Sequence, residues 1–364
     1  MKFALWALLV VTVFIAVGGY TVNAQLVSET DSEINARSKQ YQGTKFSNAA
    51  EVNVQSVEKT LTILKRYITE ESIDQTPKFG IPVETVTKEL LDDLSQDTVH
   101  IIKLGHSTVL LKVMGEYWLI DPIFADRASP FTFLGPKRFH DAPIEPVDLP
   151  NIERILISHN HYDHLDESSI RALAGKTASF LVPLGVKGDL VKWGIAPNKV
   201  QEFDWWQEIE TEQALVAFTP TQHFSGRAIG DSNHTLWGSW VIKTPQTSLY
   251  FSGDSGYFDG FKEIGDKYGP FDLTLLETGA YDQAWKDIHM LPEESVQAHI
   301  DLRGKVMVPI HNGTFDLSFH TWYEPLDRVV MEAEQQGVLI STPVFGVPFQ
   351  ATDGPIVNNW WSKH

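Results

Sequence analysis

Cysteine is absent from the 364 residues, so the chain can form no disulfide bond and offers no thiolate to a metal ion. Any metal would therefore have to be held by imidazole nitrogens, carboxylate oxygens and water. Basic residues are also scarce: 29 Lys and Arg stand against 47 Asp and Glu, which gives a net charge of −18. That balance lacks the positive surface that gripping a phosphate backbone requires, and we expect no nucleic-acid partner.

The first 24 residues have the composition of an export signal. Lys2 is followed by an uncharged, mostly apolar run, and small residues precede a candidate cleavage site after Ala24. This pattern predicts a cleaved signal peptide over residues 1–24. An uncleaved membrane anchor is the alternative, because Phe3 to Val22 is about the 20 residues that cross a bilayer. Both interpretations predict an exported protein, either periplasmic or secreted, or anchored in a membrane by this segment.

The remaining chain divides into a polar lead-in, residues 25–97, and a larger domain, residues 98–364. Apolar residues at helical spacing predict one amphipathic helix in the lead-in, over 56–70. In the larger domain, short apolar runs predict strands at 99–102, 108–113, 117–120, 155–157, 181–182, 215–218, 240–242, 249–251, 273–276 and 305–309. Helices are predicted at 167–173, 186–193, 258–268, 292–302 and 326–336. Mixed strands flanked by helices indicate an α/β fold, a four-layer αββα sandwich of two sheets with helices outside.

One stretch, Ser158 to Asp166, concentrates the chemistry; it reads Ser-His-Asn-His-Tyr-Asp-His-Leu-Asp and directly follows a predicted strand. His159 and His161 are two residues apart, so on an extended segment both rings leave the same face and can hold one ion. Asp163 and His164 follow where the chain turns and can hold a second ion. Imidazole and carboxylate groups suit zinc, and also iron or manganese. The spacing H-x-H-x-D-H therefore predicts a metal site rather than a histidine-rich surface loop.

Three further candidate ligands, His223, Asp254 and His311, come after predicted strands downstream. Asp254 is preceded by Gly253, whose missing side chain lets the backbone approach another segment closely. A single residue of this kind would more often be a hydrogen-bonded core histidine or an aspartate that caps a turn. In this order after H-x-H-x-D-H, the three residues predict a two-metal ligand set.

This ligand order resembles that of the metallo-β-lactamase fold superfamily. The resemblance is closer still to its N-acylphosphatidylethanolamine-hydrolysing phospholipase D family. The stretches that carry it are 104–108 (Leu-Gly-His-Ser-Thr), 121–124 (Asp-Pro-Ile-Phe), 135–139 (Gly-Pro-Lys-Arg-Phe), 157–166, 236–240 (Leu-Trp-Gly-Ser-Trp), 269–273 (Gly-Pro-Phe-Asp-Leu) and 279–281 (Gly-Ala-Tyr). The similarity extends over about residues 41–346 and leaves out the first 40.

The resemblance implies a centre with two Zn²⁺ ions. One ion would be held by His159, His161 and His223. The other would be held by Asp163, His164 and His311. Asp254 would bridge the two ions and take part in catalysis. A tyrosine and a histidine that contact substrate in the family match Tyr162 and His289, the latter also catalytic. Asp121 resembles an aspartate that supports ligand histidines. A packing ring and a plain loop histidine are the simpler alternatives for Tyr162 and His289.

The implied activity is the hydrolysis of N-acylphosphatidylethanolamine-like glycerophospholipids to N-acylethanolamine and phosphatidic acid by a metal-bound hydroxide. The substrate would be a phospholipid or another phosphodiester, met by peripheral contact with a membrane, and a homodimer is compatible with the sequence. Aromatic candidates for an apolar substrate passage are Phe131, Phe133, Phe224, Trp285 and Phe315. Two alternatives stay open. One is a metallo-hydrolase of the same fold that cuts a lactone, β-lactam or other small ester; the other is a non-catalytic binding protein.

Overall fold

The structure, a computed structural model, describes residues 37–50, 52, 61–63, 65, 66, 69, 70, 73–228 and 230–362. The predicted signal peptide or anchor over 1–24 lies outside the described residues and stays a prediction. Within the helix predicted over 56–70, residues 61–63, 65, 66 and 69 are helical. No helix in the described part of the chain is both long and apolar enough to span a bilayer.

The strands and α-helices of the described residues follow one another along the chain in this order: β1 (Tyr41–Gln42), β2 (Lys45–Phe46), α1 (Lys88–Asp93), β3 (Val99–Gly105), β4 (Thr108–Val113), β5 (Glu116–Ile120), β6 (Ile152–Leu156), α2 (Glu167–Leu173), β7 (Thr177–Pro183), α3 (Lys187–Lys192), β8 (Val200–Phe203), β9 (Glu208–Glu210), β10 (Leu215–Thr219), β11 (Ser239–Lys243), β12 (Ser248–Phe251), α4 (Gly260–Tyr268), β13 (Phe271–Glu277), α5 (Pro292–Asp301), β14 (Gly304–Ile310), α6 (Glu324–Gln336), β15 (Leu339–Ile340) and β16 (Pro348–Phe349).

Two seven-stranded sheets form the centre of the molecule. The first sheet has the order β16-β3-β4-β5-β6-β7-β8, and the second has the order β15-β14-β13-β12-β11-β10-β9. Each sheet has an antiparallel half and a parallel half. Helices α2 and α3 connect β6, β7 and β8, and helices α4 to α6 connect β12 to β15, because parallel neighbours need a crossover connection.

Three apolar layers hold the sheets and helices together. Residues of β4 alternate between two of them: Val109 and Leu111 pack between the sheets, whereas Leu110 packs with the helices outside the first sheet. The layer between the sheets also contains the fully buried Trp118 and Trp240. The outer layers lie under α1 to α3 on the first sheet and under α4 to α6 on the second. This order of layers confirms the predicted four-layer αββα sandwich.

The short elements at the periphery are not predicted from the sequence. They are α1, the β1–β2 hairpin and the edge strands β8, β9, β15 and β16, which have two to four residues each. So few residues show no periodicity, and their pairing depends on the neighbouring strand. The lead-in nevertheless packs on the main domain, since Tyr41 and Phe46 join the layer between the sheets and Leu91 joins the layer outside the first sheet.

The close approach of α4 to α5 depends on Gly265. A Cβ atom there would lie 2.2 Å from Asp301 O and 2.9 Å from Leu302 Cα. We expect Gly265→Ala to lower the free energy of unfolding by roughly 1–3 kcal/mol in urea titrations, because the helices must move apart. Gly188 in α3 is the matched control, since a Cβ there meets nothing within 4 Å. Gly188→Ala should leave stability unchanged or raise it by up to about 1 kcal/mol. Equal stabilities of the two variants would contradict this account.

Candidate metal centre

The predicted ligands meet at one edge of both sheets, where strands end. His159 follows β6 of the first sheet, whereas His223, Asp254 and His311 follow β10, β12 and β14 of the second. The cluster is therefore complete only when the two sheets pack face to face. Gly253 permits this contact between the sheets. Its φ is +57°, and a Cβ there would lie 2.7 Å from the Cβ of Ser158.

The first cluster consists of three histidines and Asp254. His161 Nδ1 lies 2.9 Å from His159 Nε2 and 3.2 Å from His223 Nε2, and Asp254 Oδ2 lies 3.8 Å from each of those Nε2 atoms. His223 Nδ1 donates a hydrogen bond to Ile288 O at 2.9 Å, which leaves Nε2 facing the cluster. Burial lowers the pKa of His161 to about 4 and holds the pKa of His159 and His223 well below the ordinary value. The rings are therefore neutral, which is the form that binds metal.

The second cluster contains the predicted ligands Asp163, His164 and His311, together with His106. Asp163 Oδ2 lies 3.1 Å from His106 Nε2, 3.2 Å from His311 Nε2 and 3.7 Å from His164 Nε2. Asp254 reaches this cluster too: Oδ1 lies 3.1 Å from His164 Nε2, and Oδ2 lies 3.1 Å from His311 Nε2. Asp254 is thus the carboxylate in contact with both clusters.

The carboxylates of the second cluster favour positive charge on the histidines beside them. Burial acts to lower the pKa of His311, but Asp254 and Asp163 outweigh it and raise that pKa to about 10. The same two carboxylates outweigh burial at His164 and raise its pKa well above the ordinary value. A divalent ion bound here would displace these protons and supply the positive charge in their place.

Unsatisfied buried atoms show that the clusters fit metal ions. His164 Nε2 and Asp254 Oδ1 lie 3.1 Å apart, but among the described residues neither buried atom has a hydrogen-bond partner in good geometry; His159 Nε2 and His161 Nδ1 also face each other at 2.9 Å. Such atoms are costly in a protein interior. Within each cluster the candidate ligand atoms all lie within 4.8 Å of one another. A divalent ion would satisfy them, and this donor set suits zinc, iron or manganese.

Asp121 connects the first sheet to the histidine-rich loop. It is fully buried at the end of β5, where Oδ2 accepts a hydrogen bond from His164 Nδ1 at 2.7 Å. Its Oδ1 accepts the backbone N–H of Ser158, also at 2.7 Å. These bonds orient the His164 ring so that Nε2 faces Asp254, which is the arrangement expected of a residue that supports a ligand.

His289 lies beside both clusters and is held by Glu277, which is not predicted from the sequence. His289 Nδ1 forms a short hydrogen bond with Glu277 Oε1, and the other oxygen of this fully buried carboxylate accepts the N–H of Ser255 at 2.6 Å. The His289 ring centroid lies 5.0 Å from that of His223 and 5.6 Å from that of His311. Burial acts to lower the pKa of His289, but the Glu277 carboxylate outweighs it and raises that pKa.

His106 is the second site residue that the ligand pattern does not include. It lies in the turn between β3 and β4 with a φ of +43° and is almost fully buried. One signal for both residues was present: Glu277 ends β13 and His106 follows β3, so each stands at a strand end like the predicted ligands. Together with Asp254 and His311, Glu277 and His289 form a third group of closely spaced ligand atoms.

Tyr162 connects the histidine-rich loop to Arg227. Its hydroxyl donates a hydrogen bond to Arg227 O at 2.9 Å, and the Arg227 guanidinium lies 4.0 Å from the centre of its ring. Arg227 Nη1 also donates to Asn160 O at 2.8 Å. A substrate contact by Tyr162 would therefore have to use the ring face opposite Arg227.

Two of the predicted aromatic residues flank the clusters. The ring centroid of Phe224 lies 4.4 Å from that of His161, and the ring of the buried Phe315 lies 5.3 Å from that of His106. Trp285 instead packs on Phe319 at 5.7 Å. Each of the two clusters of candidate ligands thus has an apolar ring beside it. Phe131 and Phe133 contact each other on a separate loop.

Residues 117–312 match the model of the β-lactamase superfamily domain. The chain therefore belongs to the metallo-β-lactamase fold superfamily and is a metal-dependent hydrolase, as predicted. Its relatives include N-acyl-phosphatidylethanolamine-hydrolyzing phospholipase D 1 of Caenorhabditis elegans, 36% identical over 70% of this chain and 75% of that protein. An uncharacterized protein of Mycobacterium tuberculosis is 44% identical over 71% of this chain and 70% of that protein. Among solved structures, an isothiocyanate hydrolase from Delia radicum gut bacteria shares the fold with a TM-score of 0.56 and 18% identity, over 69% of this chain and 99% of that one.

The two clusters predict two divalent ions per chain. We expect zinc-loaded, desalted protein to contain about two ions per chain by elemental mass spectrometry and to unfold at a higher temperature than chelated protein. His161→Ala should retain about one ion, because only the first cluster loses a ligand atom. His234 is exposed and belongs to neither cluster, so His234→Ala should keep both ions. An unchanged metal content in His161→Ala would exclude the first cluster as a metal site.

Proposed function

We propose that the protein is a dinuclear metal-dependent phosphodiesterase of phospholipase D type. It would hydrolyse N-acylphosphatidylethanolamine-like glycerophospholipids to N-acylethanolamine and phosphatidic acid. The observation that carries this proposal is the 36% identity to the N-acyl-phosphatidylethanolamine-hydrolyzing phospholipase D of C. elegans, which extends over 75% of that protein. The geometry of the two clusters and of His289 supports it.

The proposed ligands divide between the two clusters. One ion, which we propose to be Zn²⁺, would be held by His159, His161 and His223. The other would be held by Asp163, His164 and His311. Asp254 would contact both ions. When bound, divalent ions of this kind acidify water and neutralise charge on phosphoryl oxygens. The centre as a whole would stay positive, since two divalent ions outweigh the Asp163 and Asp254 carboxylates. That charge favours an anionic phosphodiester over a neutral ester.

The hydrolysis adds water to phosphorus and breaks the bond between phosphorus and the N-acylethanolamine oxygen. The hydroxyl of the water stays on phosphatidic acid, and its proton ends on the departing oxygen. Glu277 engages Nδ1 of His289, so Nε2 is the ring nitrogen left to donate a hydrogen bond to a phosphoryl oxygen. Glu277 is thus the positioning residue for His289. Phe224 and Phe315 give each cluster an apolar flank beside which acyl chains could pack.

Product analysis tests the proposed reaction. Metal-loaded protein incubated with N-acylphosphatidylethanolamine should release N-acylethanolamine and phosphatidic acid, detected by mass spectrometry. Chelated protein and Asp254→Asn should give neither product, because both ions depend on that carboxylate. Release of free fatty acid instead would identify an ester hydrolase. The absence of these three products and of diacylglycerol would refute the phospholipid substrate.

The His289–Glu277 pair generates a separate prediction. His289→Ala should lower turnover of long-chain and short-chain phosphodiesters alike, because the contact is to the phosphate. Glu277→Gln should lower turnover roughly 10–100-fold, because glutamine keeps an acceptor oxygen but loses the charge. Both variants should still hold about two ions per chain.

Metal content separates positioning from ligation in this experiment. A metal content of about one ion in Glu277→Gln would show that Glu277 is a ligand and not a positioning residue. Glu334→Gln, an exposed glutamate on α6, is the matched control and should match the wild type in both measurements.

A further inference from the structure

One loop, whose base packs beside the second cluster, exposes a phenylalanine side chain to solvent. We name residues 127–138 the aromatic loop; Arg127 and Lys137 pair as an antiparallel bridge at its base. Phe133 lies near its tip with 72% of its surface exposed, and its ring centroid is 5.6 Å from that of Phe131. Phe133 is exposed next to the half-buried Phe131, and an exposed apolar group of this size beside further apolar surface indicates a contact surface.

Internal hydrogen bonds hold the aromatic loop in its conformation. The Arg127 side chain donates to Thr132 O at 3.2 Å and to Gly135 O at 2.5 Å, so it spans the loop from one strand of the bridge. Gly135 has a φ of +106°, and a Cβ there would lie 2.5 Å from Ser129 Cβ. The exposure of Phe133 is therefore built into the loop.

The charge of the aromatic loop is opposite to that of the whole chain. Its charged residues are Arg127, Lys137 and Arg138, and no Asp or Glu occurs from Arg127 to His140. The chain as a whole carries a net charge of −18. Lys137 is exposed. An anionic surface would repel most of the molecule and attract this loop.

The base of the aromatic loop adjoins the candidate metal centre. Phe139, the next residue, donates its backbone N–H to Thr314 O at 2.8 Å. The Arg138 guanidinium lies 5.7 Å from the ring centre of Phe315, whose ring is in turn 5.3 Å from that of His106 in the second cluster. The aromatic loop therefore extends outward from a base that packs beside the second cluster.

We infer that the aromatic loop docks the protein on anionic lipid surfaces. Phe131 and Phe133 would enter the interface, where aromatic rings are favoured, and the exposed Lys137 would lie among the anionic headgroups. The inference deepens the proposed phospholipid hydrolysis, on which it rests for its purpose, by naming the element that meets the membrane. Docking through this loop would attach to the membrane the segment whose base packs beside the second cluster.

Vesicle binding tests the apolar part of the interaction without any turnover. Purified protein that begins at Gln25, without the predicted signal peptide or anchor, should co-sediment with vesicles of phosphatidylglycerol and phosphatidylcholine. Phe133→Ser should weaken the partition coefficient roughly tenfold, which is what burial of one phenyl side chain is worth. Val147 is 77% exposed but lies outside the loop, so Val147→Ser is the matched control and should bind like the wild type.

The charged part of the interaction has its own pair of variants. Lys137→Gln should weaken binding to the anionic vesicles about fivefold, as expected for one basic residue near an anionic surface. The same variant should bind pure phosphatidylcholine vesicles like the wild type. Lys262→Gln, an exposed lysine on α4, is the control and should change neither affinity.

Three outcomes would overturn the inference: no binding of the wild-type protein to anionic vesicles, unchanged binding of Phe133→Ser, or equal losses in Phe133→Ser and Val147→Ser. Sedimentation analysis of the free proteins tests whether the loop is a protein interface instead. Self-association of the wild type that is abolished in Phe133→Ser, in a protein that does not bind vesicles, would assign the loop to a protein interface. Vesicle binding through Phe133 in a protein that hydrolyses no phosphodiester would reject the proposed function but leave the docking loop intact.

Discussion

Imidazole nitrogens and carboxylates converge in a buried space where the surrounding protein groups do not satisfy them all. His159 and His161 direct nitrogens at each other, and Asp254 lies among four histidines. An interior with this composition is costly without positive charge. Two further residues support this convergence: Gly253 leaves room for Ser158, and Asp121 orients the His164 ring while it accepts the backbone N–H of Ser158.

Much of this arrangement is predictable from the sequence because it is local. His159 and His161 share one face of an extended segment, and the helices of the larger domain are long enough to show their period. Glu277 and His106 are different. Glu277 ends an apolar strand like many surface glutamates, and its partner His289 meets it only through the packing of the following segment. His106 depends on a backbone turn with positive φ that its sequence neighbours do not specify.

Some features of this chain belong to the superfamily fold, and others are particular to this chain. The αββα sandwich is the fold of the whole superfamily. We propose that the two ligand clusters carry out the hydrolysis and that His289, the aromatic rings beside the clusters and the aromatic loop select the substrate. These particular features all lie in loops at one edge of the sheets. Their apolar and basic character agrees with a lipid phosphodiester and contrasts with the strongly acidic chain that carries them.

The position of the metal ions tests the central claim most directly. A crystal structure of the zinc-loaded protein, with anomalous data collected at the zinc absorption edge, should show two peaks about 3.5–4 Å apart. One peak should lie among His159, His161 and His223 and the other beside Asp163, with an oxygen of Asp254 near each. A single peak, or two peaks of which only one contacts Asp254, would contradict the two-cluster account.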